Sequence, residues 1–211
     1  MEVIYCDFNK ILSYNAFINF IHGERGVGKT YGASKFVVKQ FLKNNDEFAY
    51  IRRFKTELKE AVPNFFTSLI DNKEFNNKLT TKNNKFYCDD NICGHAFTLT
   101  TAQNLKSSNF NKVKNIIFDE YLIERGQRHY LQNEVENFLG LIETIARMRN
   151  VRIFMLANAV TTTNPYFLYF DLHLPYGTDI KTFKDGLILV QYMKNEEYRK
   201  AKRNTKFRKI S

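Results

Sequence analysis

The eight residues from Gly23 to Thr30, GERGVGKT, constrain the fold of this chain more than any other stretch. They match the G-x-x-x-x-G-K-[ST] pattern of a phosphate-binding loop (Walker A), in which glycines let backbone N–H groups point at phosphate oxygens. The β-prone segment AFINFIH precedes the loop, and YGASKFVVKQFLKN follows it with apolar residues at helical spacing. This strand–loop–helix order predicts a site for a nucleoside triphosphate.

The loop pattern also assigns roles to single residues. Lys29 is predicted to reach the β- and γ-phosphates of ATP, and the Thr30 hydroxyl to ligate Mg²⁺. The predicted nucleotide-binding residues form one continuous run: Gly23, Glu24, Arg25, Gly26, Val27, Gly28, Lys29, Thr30 and Tyr31.

An acidic pair is the second element of the predicted site. The segment NIIFDEY is a short apolar run that ends in Asp119 and Glu120. We expect Asp119 to hold Mg²⁺ through water and Glu120 to orient and activate the attacking water. Two exposed acids at a strand end would be the plain structural alternative. Asn158 ends the apolar run VRIFMLAN, where it could sense the γ-phosphate or simply begin a turn, and the spacing favours neither.

The remaining patterns predict an α/β fold. Alternating β-prone and helical segments in this order favour right-handed crossovers and a mostly parallel sheet with helices on both faces. We expect a helix that is interrupted or kinked at Pro63, and a hairpin that turns near Asp90–Asn91. We also expect a capping box formed by Asn133 and Glu136 at the start of a helix to about Asn150, and a strand after the Asp185–Gly186 turn.

The composition of the chain indicates which kind of partner it binds. The chain has 211 residues, a net charge of +10 and a pI near 9.4, which favours a polyanionic partner such as nucleic acid, although lysine-rich proteins from AT-rich genomes share this charge. The three cysteines are scattered, which argues for a reducing cytoplasm. We found no leader or membrane-spanning run. Residues 1–193 are predicted to form one domain, and the basic segment 194–211 a linker or nucleic-acid-contacting arm.

One arginine raises the question of a shared site. In NEVENFLGLIETIARMRN the apolar positions share one helix face, and Arg147 projects away from it. Such an arginine could reach the nucleotide of an adjacent subunit. The four-residue spacing also suits an ordinary surface ion pair between Glu143 and Arg147. The sequence pattern alone favours this ion pair over an arginine that acts on a neighbour.

Several longer motifs carry a family resemblance. The chain resembles the DNA-packaging (encapsidation) ATPases of small short-tailed phages with protein-primed genomes, through ILSYNAFINFIHGERGVGKTYG, YIRRFK, NIIFDEYL, NEVENFLGLIETIARMRNVR and NAVTTTNPYF. This resemblance implies an ATPase of the ASCE (additional strand, catalytic glutamate) class of P-loop NTPases, with ATP and Mg²⁺. It also implies a homopentameric ring at the prohead portal vertex in the host bacterial cytoplasm, which drives double-stranded DNA inward.

The resemblance also carries residue roles. Lys29, Thr30, Asp119 and Glu120 match the family's loop and acidic motif, and Arg147 matches an arginine finger inserted into the next subunit's site. Lys55 matches a lysine that works in trans at the same interface. Relatives carry a further C-terminal domain, so residues 194–211 are expected to lie in the linker toward it, and contact with the prohead or a packaging RNA is expected to need that domain.

Residues that touch DNA are predicted from polar loops. Lys106, Arg125 and Arg128 flank the acidic strand in QNLKSSNFN and ERGQRHY, where a pore-facing loop would meet phosphates. Ordinary surface loops have the same composition. Two other functions remain as alternatives to a motor: a P-loop nucleotide phosphotransferase, or a DNA-binding assembly protein organised by nucleotide.

Overall fold

Nine strands form one sheet in the computed structural model, which describes residues 6–100, 109–123, 129–158 and 163–193. In chain order they are β1 (Ile18–Gly23), β2 (Glu47–Arg52), β3 (Leu79–Lys82), β4 (Lys85–Cys88), β5 (Asn91–Thr98), β6 (Val113–Asp119), β7 (Arg152–Ala157), β8 (Ile180–Phe183) and β9 (Ile188–Met193). Their order across the sheet is β3-β4-β5-β2-β6-β7-β1-β9-β8.

Six helices accompany these strands in the described part of the chain. They are α1 (Phe8–Ser13), α2 (Lys29–Asn44), α3 (Lys55–Asn64), α4 (Thr67–Asp71), α5 (Glu134–Ala146) and α6 (Pro165–Phe170). No helix among the described residues has the length and apolar character required to cross a bilayer.

The sheet is mostly parallel. Strands β5, β2, β6, β7, β1 and β9 pair in parallel, whereas β3–β4, β4–β5 and β8–β9 pair antiparallel at the two ends. The parallel pairs need crossover connections, and α2, α3 and α5 lie in these connections. The predicted α/β architecture with a mostly parallel sheet is confirmed.

Two apolar layers pack against opposite faces of the sheet. Along β7, Ile153 and Met155 join the layer that contains α5 and α6, whereas Phe154 and Leu156 join the layer that contains α1 to α4. This alternation follows from the period of two in a strand. Helices therefore cover both faces, as the sequence predicted.

Local details differ from the predictions at several points, and helices α1 and α6 were not predicted. Asn133 has φ 51° and its side chain caps no N–H of α5, so the expected capping box does not form, and α5 ends at Ala146 instead of about Asn150. Strands β3 and β8 were not predicted, because each is four residues long with mixed polarity. The Asp89–Asp90 turn lies one residue before the expected position.

The carboxyl ends of the central strands meet at one edge of the sheet. The phosphate-loop candidate follows β1, Arg52 ends β2, Asp119 ends β6 and Asn158 follows β7. In open parallel sheets this edge is where ligands bind. The topology thus gathers the predicted site from segments that are far apart in sequence.

Candidate nucleotide site

The backbone of the loop has the shape that phosphate binding needs. Gly26 and Gly28 have φ 84° and 75°, a region that glycine enters without steric cost. Gly28 is the N-cap of α2 and no side chain caps this helix start. The first N–H groups of α2 are thus left for a ligand at the positive end of the helix dipole.

Lys29 folds back onto the loop in the described structure. Its Nζ donates hydrogen bonds to the carbonyl oxygens of Gly23 at 3.0 Å and Glu24 at 2.7 Å. Burial lowers the pKa of Lys29 to about 8, although Cys6, Asp119 and Glu24 act in the opposite direction. An anionic ligand would favour the charged lysine, which makes this side chain suited to a phosphate.

Thr30 and Asp119 converge from different elements. The Thr30 hydroxyl donates to Asp119 Oδ1 at 3.5 Å, although 89 positions separate them in the chain. Asp119 Oδ2 accepts from the Tyr50 hydroxyl at 2.9 Å and lies 3.3 Å from the Arg52 guanidinium. Burial raises the pKa of Asp119, against the opposing effects of Arg52 and Tyr50. These two oxygen ligands fit Mg²⁺, which takes one or two protein ligands beside substrate phosphates.

Glu120 is exposed beside this pair and has an unusual backbone. Its φ of 57° falls in the left-handed region, which costs free energy for a residue with a side chain. Its carboxylate forms an ion pair of 2.5 Å with Arg52. Arg52 therefore contacts both acids of the predicted pair.

A buried ion pair supports the turn at Glu120. Arg53 and Glu134 are 2% and 3% exposed and form two hydrogen bonds, of 2.9 and 2.8 Å. Arg53 also donates to the backbone carbonyls of Glu120 and Tyr121, and Glu134 accepts from the Tyr166 hydroxyl at 2.9 Å. The network joins β2, the end of β6, α5 and α6, and it holds the backbone at Glu120 in place.

A cavity of about 750 Å³ opens over the loop. Gly26, Gly28, Lys29, Thr30, Tyr31 and Asn158 line it, and all six are among the residues predicted for the nucleotide site. The opposite wall comes from α4 and the turn after it, and sequence reasoning missed its three polar residues: Ser68, Asn72 and Glu74. Glu74 contacts both Tyr31 and Lys35, the latter at 2.7 Å, so this wall is tied to α2. No motif marks these residues; only the packing of α4 beside α2 brings them to the cavity.

Other predicted residues lie elsewhere. Glu24 and Arg25 are in the loop but do not line the cavity, and the Val27 side chain is buried in the core below the loop. Lys55 is exposed at the start of α3, at the same edge of the sheet but outside the cavity. Lys106, Arg125 and Arg128 lie outside the described residues.

Arg147 lies at the opposite edge of the sheet. It follows α5, five positions before β7 begins, and the nearby Arg149 donates to the Phe110 carbonyl just before β6. Both arginines therefore lie near the amino ends of the parallel strands. Arg147 is exposed and does not line the nucleotide cavity of its own chain.

Metal coordination by protein groups alone is not supported. Within the described ranges, no three His, Cys, Asp or Glu side chains are grouped so that they could hold an ion. Cys88 and Cys93 are buried thiols, and burial raises the pKa of both. Thr30 and Asp119 would thus need ligand phosphates and water to complete a coordination shell.

Comparisons with known proteins agree with this geometry. Residues 1–211 match the family described as Podovirus DNA encapsidation protein (Gp16). The chain is 37% identical over 199 residues to the DNA packaging protein of Bacillus phage B103, covering 93% of this chain and 60% of that protein. The chain thus spans about 60% of the length of this relative.

Solved structures show the same fold. The N-terminal domain of the DNA packaging ATPase from bacteriophage phi29 superposes with a TM-score of 0.83 at 33% identity, covering 92% of this chain and 98% of that domain. A chain of the phi29 viral genome packaging motor assembly superposes with a TM-score of 0.80 at 34% identity, covering 90% and 57% of the two chains.

Proposed function

The chain belongs to the podovirus DNA encapsidation protein (Gp16) family, and from this membership we propose that it is the ATPase domain of a DNA-packaging motor. It hydrolyses ATP to ADP and phosphate and uses the energy to move double-stranded viral DNA into a prohead. The observation that carries this proposal is the approach of Thr30 to Asp119 below the loop, with Glu120 beside them.

The residues of the site divide the chemistry among themselves. The N–H groups at the start of α2 and the Lys29 ammonium hold the β- and γ-phosphates and balance charge that develops on them. Mg²⁺, when bound by Thr30 and Asp119, would neutralise further phosphate charge. Glu120 accepts a hydrogen bond from the attacking water and orients it. Arg52 fixes the direction of the Glu120 carboxylate through their ion pair.

We also assign this domain to the ASCE class. Strand β7 lies between β1, which carries the loop, and β6, which carries Asp119. An additional strand at this place and a glutamate directly after the strand acid are the two features that give the class its name. Asn158, at the end of that additional strand and in the cavity wall, is our candidate for sensing the γ-phosphate.

The motor is proposed to work as a homopentameric ring. Arg147 is exposed and remote from its own cavity, which suits an arginine finger that enters the site of the next subunit. Lys55 is proposed to act in trans as well. Residues 1–193 would form the motor domain and 194–211 the linker. DNA contacts by Lys106, Arg125 and Arg128, and docking on the portal vertex or a packaging RNA, are part of the same proposal.

A substitution of the proposed base tests hydrolysis. Glu120→Gln keeps the size of the side chain and one acceptor oxygen but removes the carboxylate that orients water and pairs with Arg52. We expect ATP to bind with an affinity within about threefold of the parent chain while turnover falls by about 10²- to 10⁴-fold, the range for general acid–base catalysis. Glu136→Gln, an exposed acid on α5, is the matched control and should leave turnover unchanged.

Other outcomes separate the alternative functions. Turnover that survives Glu120→Gln would overturn the assignment of the base. Phosphate transfer to a nucleotide acceptor, instead of to water, would indicate a phosphotransferase. Binding of ATP with no turnover in the assembled parent protein would indicate an assembly protein organised by nucleotide.

A further inference from the structure

A second cavity lies at the same edge of the sheet, away from the nucleotide. It has a volume of about 660 Å³ and separates α3 from the β3–β4 hairpin. We call it the lysine groove and define it by Lys55, Leu58 and Lys59 on one wall, Lys82 and Lys85 on the other, and Phe97 of β5. Strand β5 continues to Thr98, beyond its last β4 partner at His95, so the hairpin ends short and leaves this space beside α3.

Both walls of the groove carry like charges at close spacing. Lys55 and Lys59 are four positions apart on α3, a spacing that puts two side chains on the same helix face. Lys82 and Lys85 are directly paired across the β3–β4 turn. Like charges in either arrangement are destabilising, so each wall costs free energy in the unliganded protein.

The acids of α3 do not compensate these charges. At about 100° per residue, Glu57 and Glu60 lie roughly 200° and 140° around the helix from Lys55, whereas Lys59 lies only about 40° away. No acid occurs among the described residues that line the groove. Glu47, which does not line the groove, contacts the groove residue His95 at 2.9 Å. The groove is therefore a concentrated positive surface on an otherwise mixed face.

The ends of all four lysines reach solvent. Each of them is exposed, whereas Leu58 and Phe97 below them are buried. Four exposed lysines therefore line one groove, two on each wall. Such a surface fits a ligand that carries several negative charges along its length.

We propose that the lysine groove binds the phosphodiester backbone of a nucleic acid duplex. This inference rests on the proposed function, since it names where a translocated polymer meets the domain. The groove residues differ from Lys106, Arg125 and Arg128, the loop residues that the sequence analysis predicts to touch DNA. Contact through lysines to phosphates carries no base information, which suits a protein that must handle any sequence.

Counterion release offers a direct test. The triple variant Lys59→Ala, Lys82→Ala, Lys85→Ala removes three groove charges and leaves Lys55, which we have assigned to the subunit interface, unchanged. Binding to a fluorescent DNA duplex of about 30 base pairs is measured across a salt series without nucleotide. Each lost phosphate contact lowers the slope of log affinity against log salt by about 0.9, so the slope should fall by two to three and the affinity about tenfold or more.

Two matched variants isolate the groove. Replacing Lys10, Lys39 and Lys43 of α1 and α2 by Ala changes the net charge equally, and should leave the slope within about one unit of the parent. Replacing the three groove lysines by Arg retains the charge and should keep the parent slope. If the triple Ala variant is poorly folded by circular dichroism, single Lys59→Ala and Lys85→Ala variants should each lower the slope by about one.

Defined outcomes would overturn the proposal. Equal losses in the groove variant and the α1–α2 control would show that only net charge matters. The proposal would also be wrong if the parent chain did not bind the duplex at low salt. It would be wrong as well if the groove variant kept the parent slope of log affinity against log salt. Parallel measurements use an RNA duplex of the same sequence, and groove-dependent binding to RNA with none to DNA would overturn the assignment of the groove to the translocated DNA.

The experiment separates this inference from the proposed function. ATP turnover of the groove variant is measured without nucleic acid and should match that of the parent. If the groove variant binds nucleic acid like the parent and hydrolyses ATP normally, only the proposal for the groove is contradicted. Groove-dependent binding in a protein that never hydrolyses ATP counts against the proposed ATPase alone.

Discussion

At the scale of single residues, Lys29 is the side chain whose chemistry depends most on its surroundings. It is 5% exposed and lies against the carbonyls of Gly23 and Glu24. Burial disfavours its charged form and lowers its pKa to about 8, whereas bound phosphates would favour the charged form and raise that pKa again.

This difference predicts how ATP affinity depends on pH. Below pH 8 Lys29 is charged before and after binding, so affinity is flat; above pH 8 the unliganded protein loses the proton, and binding must take one up. We expect the Kd for ATP to rise by up to about tenfold per pH unit above pH 8. Calorimetry in two buffers of different ionisation enthalpy measures the proton uptake. Lys29→Arg, which stays charged, should bind without this pH dependence.

At the scale of secondary-structure elements, the seating of α2 depends on one glycine. A Cβ built on Gly32 would lie 2.4 Å from the Phe8 ring of α1, so the two helices approach closely only because Gly32 has no side chain. Phe8 in turn packs on Phe36 and Phe154, which links α1 and α2 to the sheet. The position of the phosphate-binding end of α2 thus depends on contacts outside the loop motif.

Two helical glycines provide a matched test of this contact. Gly140→Ala in α5 should raise the free energy of unfolding by about 0.5–1 kcal/mol, because alanine favours helix and a Cβ there meets no atom within 4 Å. Gly32→Ala gains the same propensity but should lower that free energy by about 1–3 kcal/mol through overpacking. Urea unfolding of both variants measures the difference. If Gly32→Ala raised the free energy of unfolding instead, α1 would have to move away from the new methyl group without a loss of stability.

At the scale of the whole molecule, the site of one chain is proposed to be half of an active site. The structure puts Lys55 at the carboxyl edge of the sheet and Arg147 at the amino edge, and neither lines its own nucleotide cavity. A neighbouring subunit that contributes Lys55 would bring its carboxyl edge to the shared site, and one that contributes Arg147 would bring its amino edge. Under this proposal, turnover depends on assembly.

Assembly dependence predicts a concentration-dependent rate. The specific ATPase rate should rise steeply with protein concentration, and double-stranded DNA should shift the rise to lower concentration in a salt-sensitive manner. The measurement is steady-state phosphate release across a dilution series with and without DNA. A constant specific rate down to concentrations at which the protein is monomeric by light scattering would contradict a shared site.

Mixing variants tests Arg147 itself. Arg147→Ala subunits and Glu120→Gln subunits should each be inactive, and their mixture should recover part of the turnover, because one interface in the mixed assembly joins an intact Glu120 to an intact Arg147. Lys43→Ala, another exposed cation, should remain fully active alone. A mixture that stays inactive although the subunits co-assemble would argue against the arginine finger.

Much of the fold was accessible from local patterns. The strand before the loop, helix α2 and strands β6 and β7 have strong periodicity or continuous apolar runs, and the structure confirms them. The cap of α5 was predicted wrongly, because Asn133 has a left-handed backbone conformation, φ 51° and ψ 43°, and its side chain caps no N–H of the helix. The ion pair between Arg53 and Glu134 was not predicted, because partners 81 positions apart leave no local signal.

By itself, the sequence determined which groups can act on a nucleotide. The loop glycines, Lys29, Thr30 and the Asp119–Glu120 pair are adjacent in short motifs, and their chemistry depends on residue type and on neighbours one to eight positions away. Only the tertiary structure decided what surrounds them: the approach of Thr30 to Asp119, the hold of Arg52 on both acids, the α4 wall and the lysine groove. These surroundings depend on the order of the strands and on the packing of the helices. Such contacts join residues that are far apart in the chain, so no periodic sequence pattern reveals them.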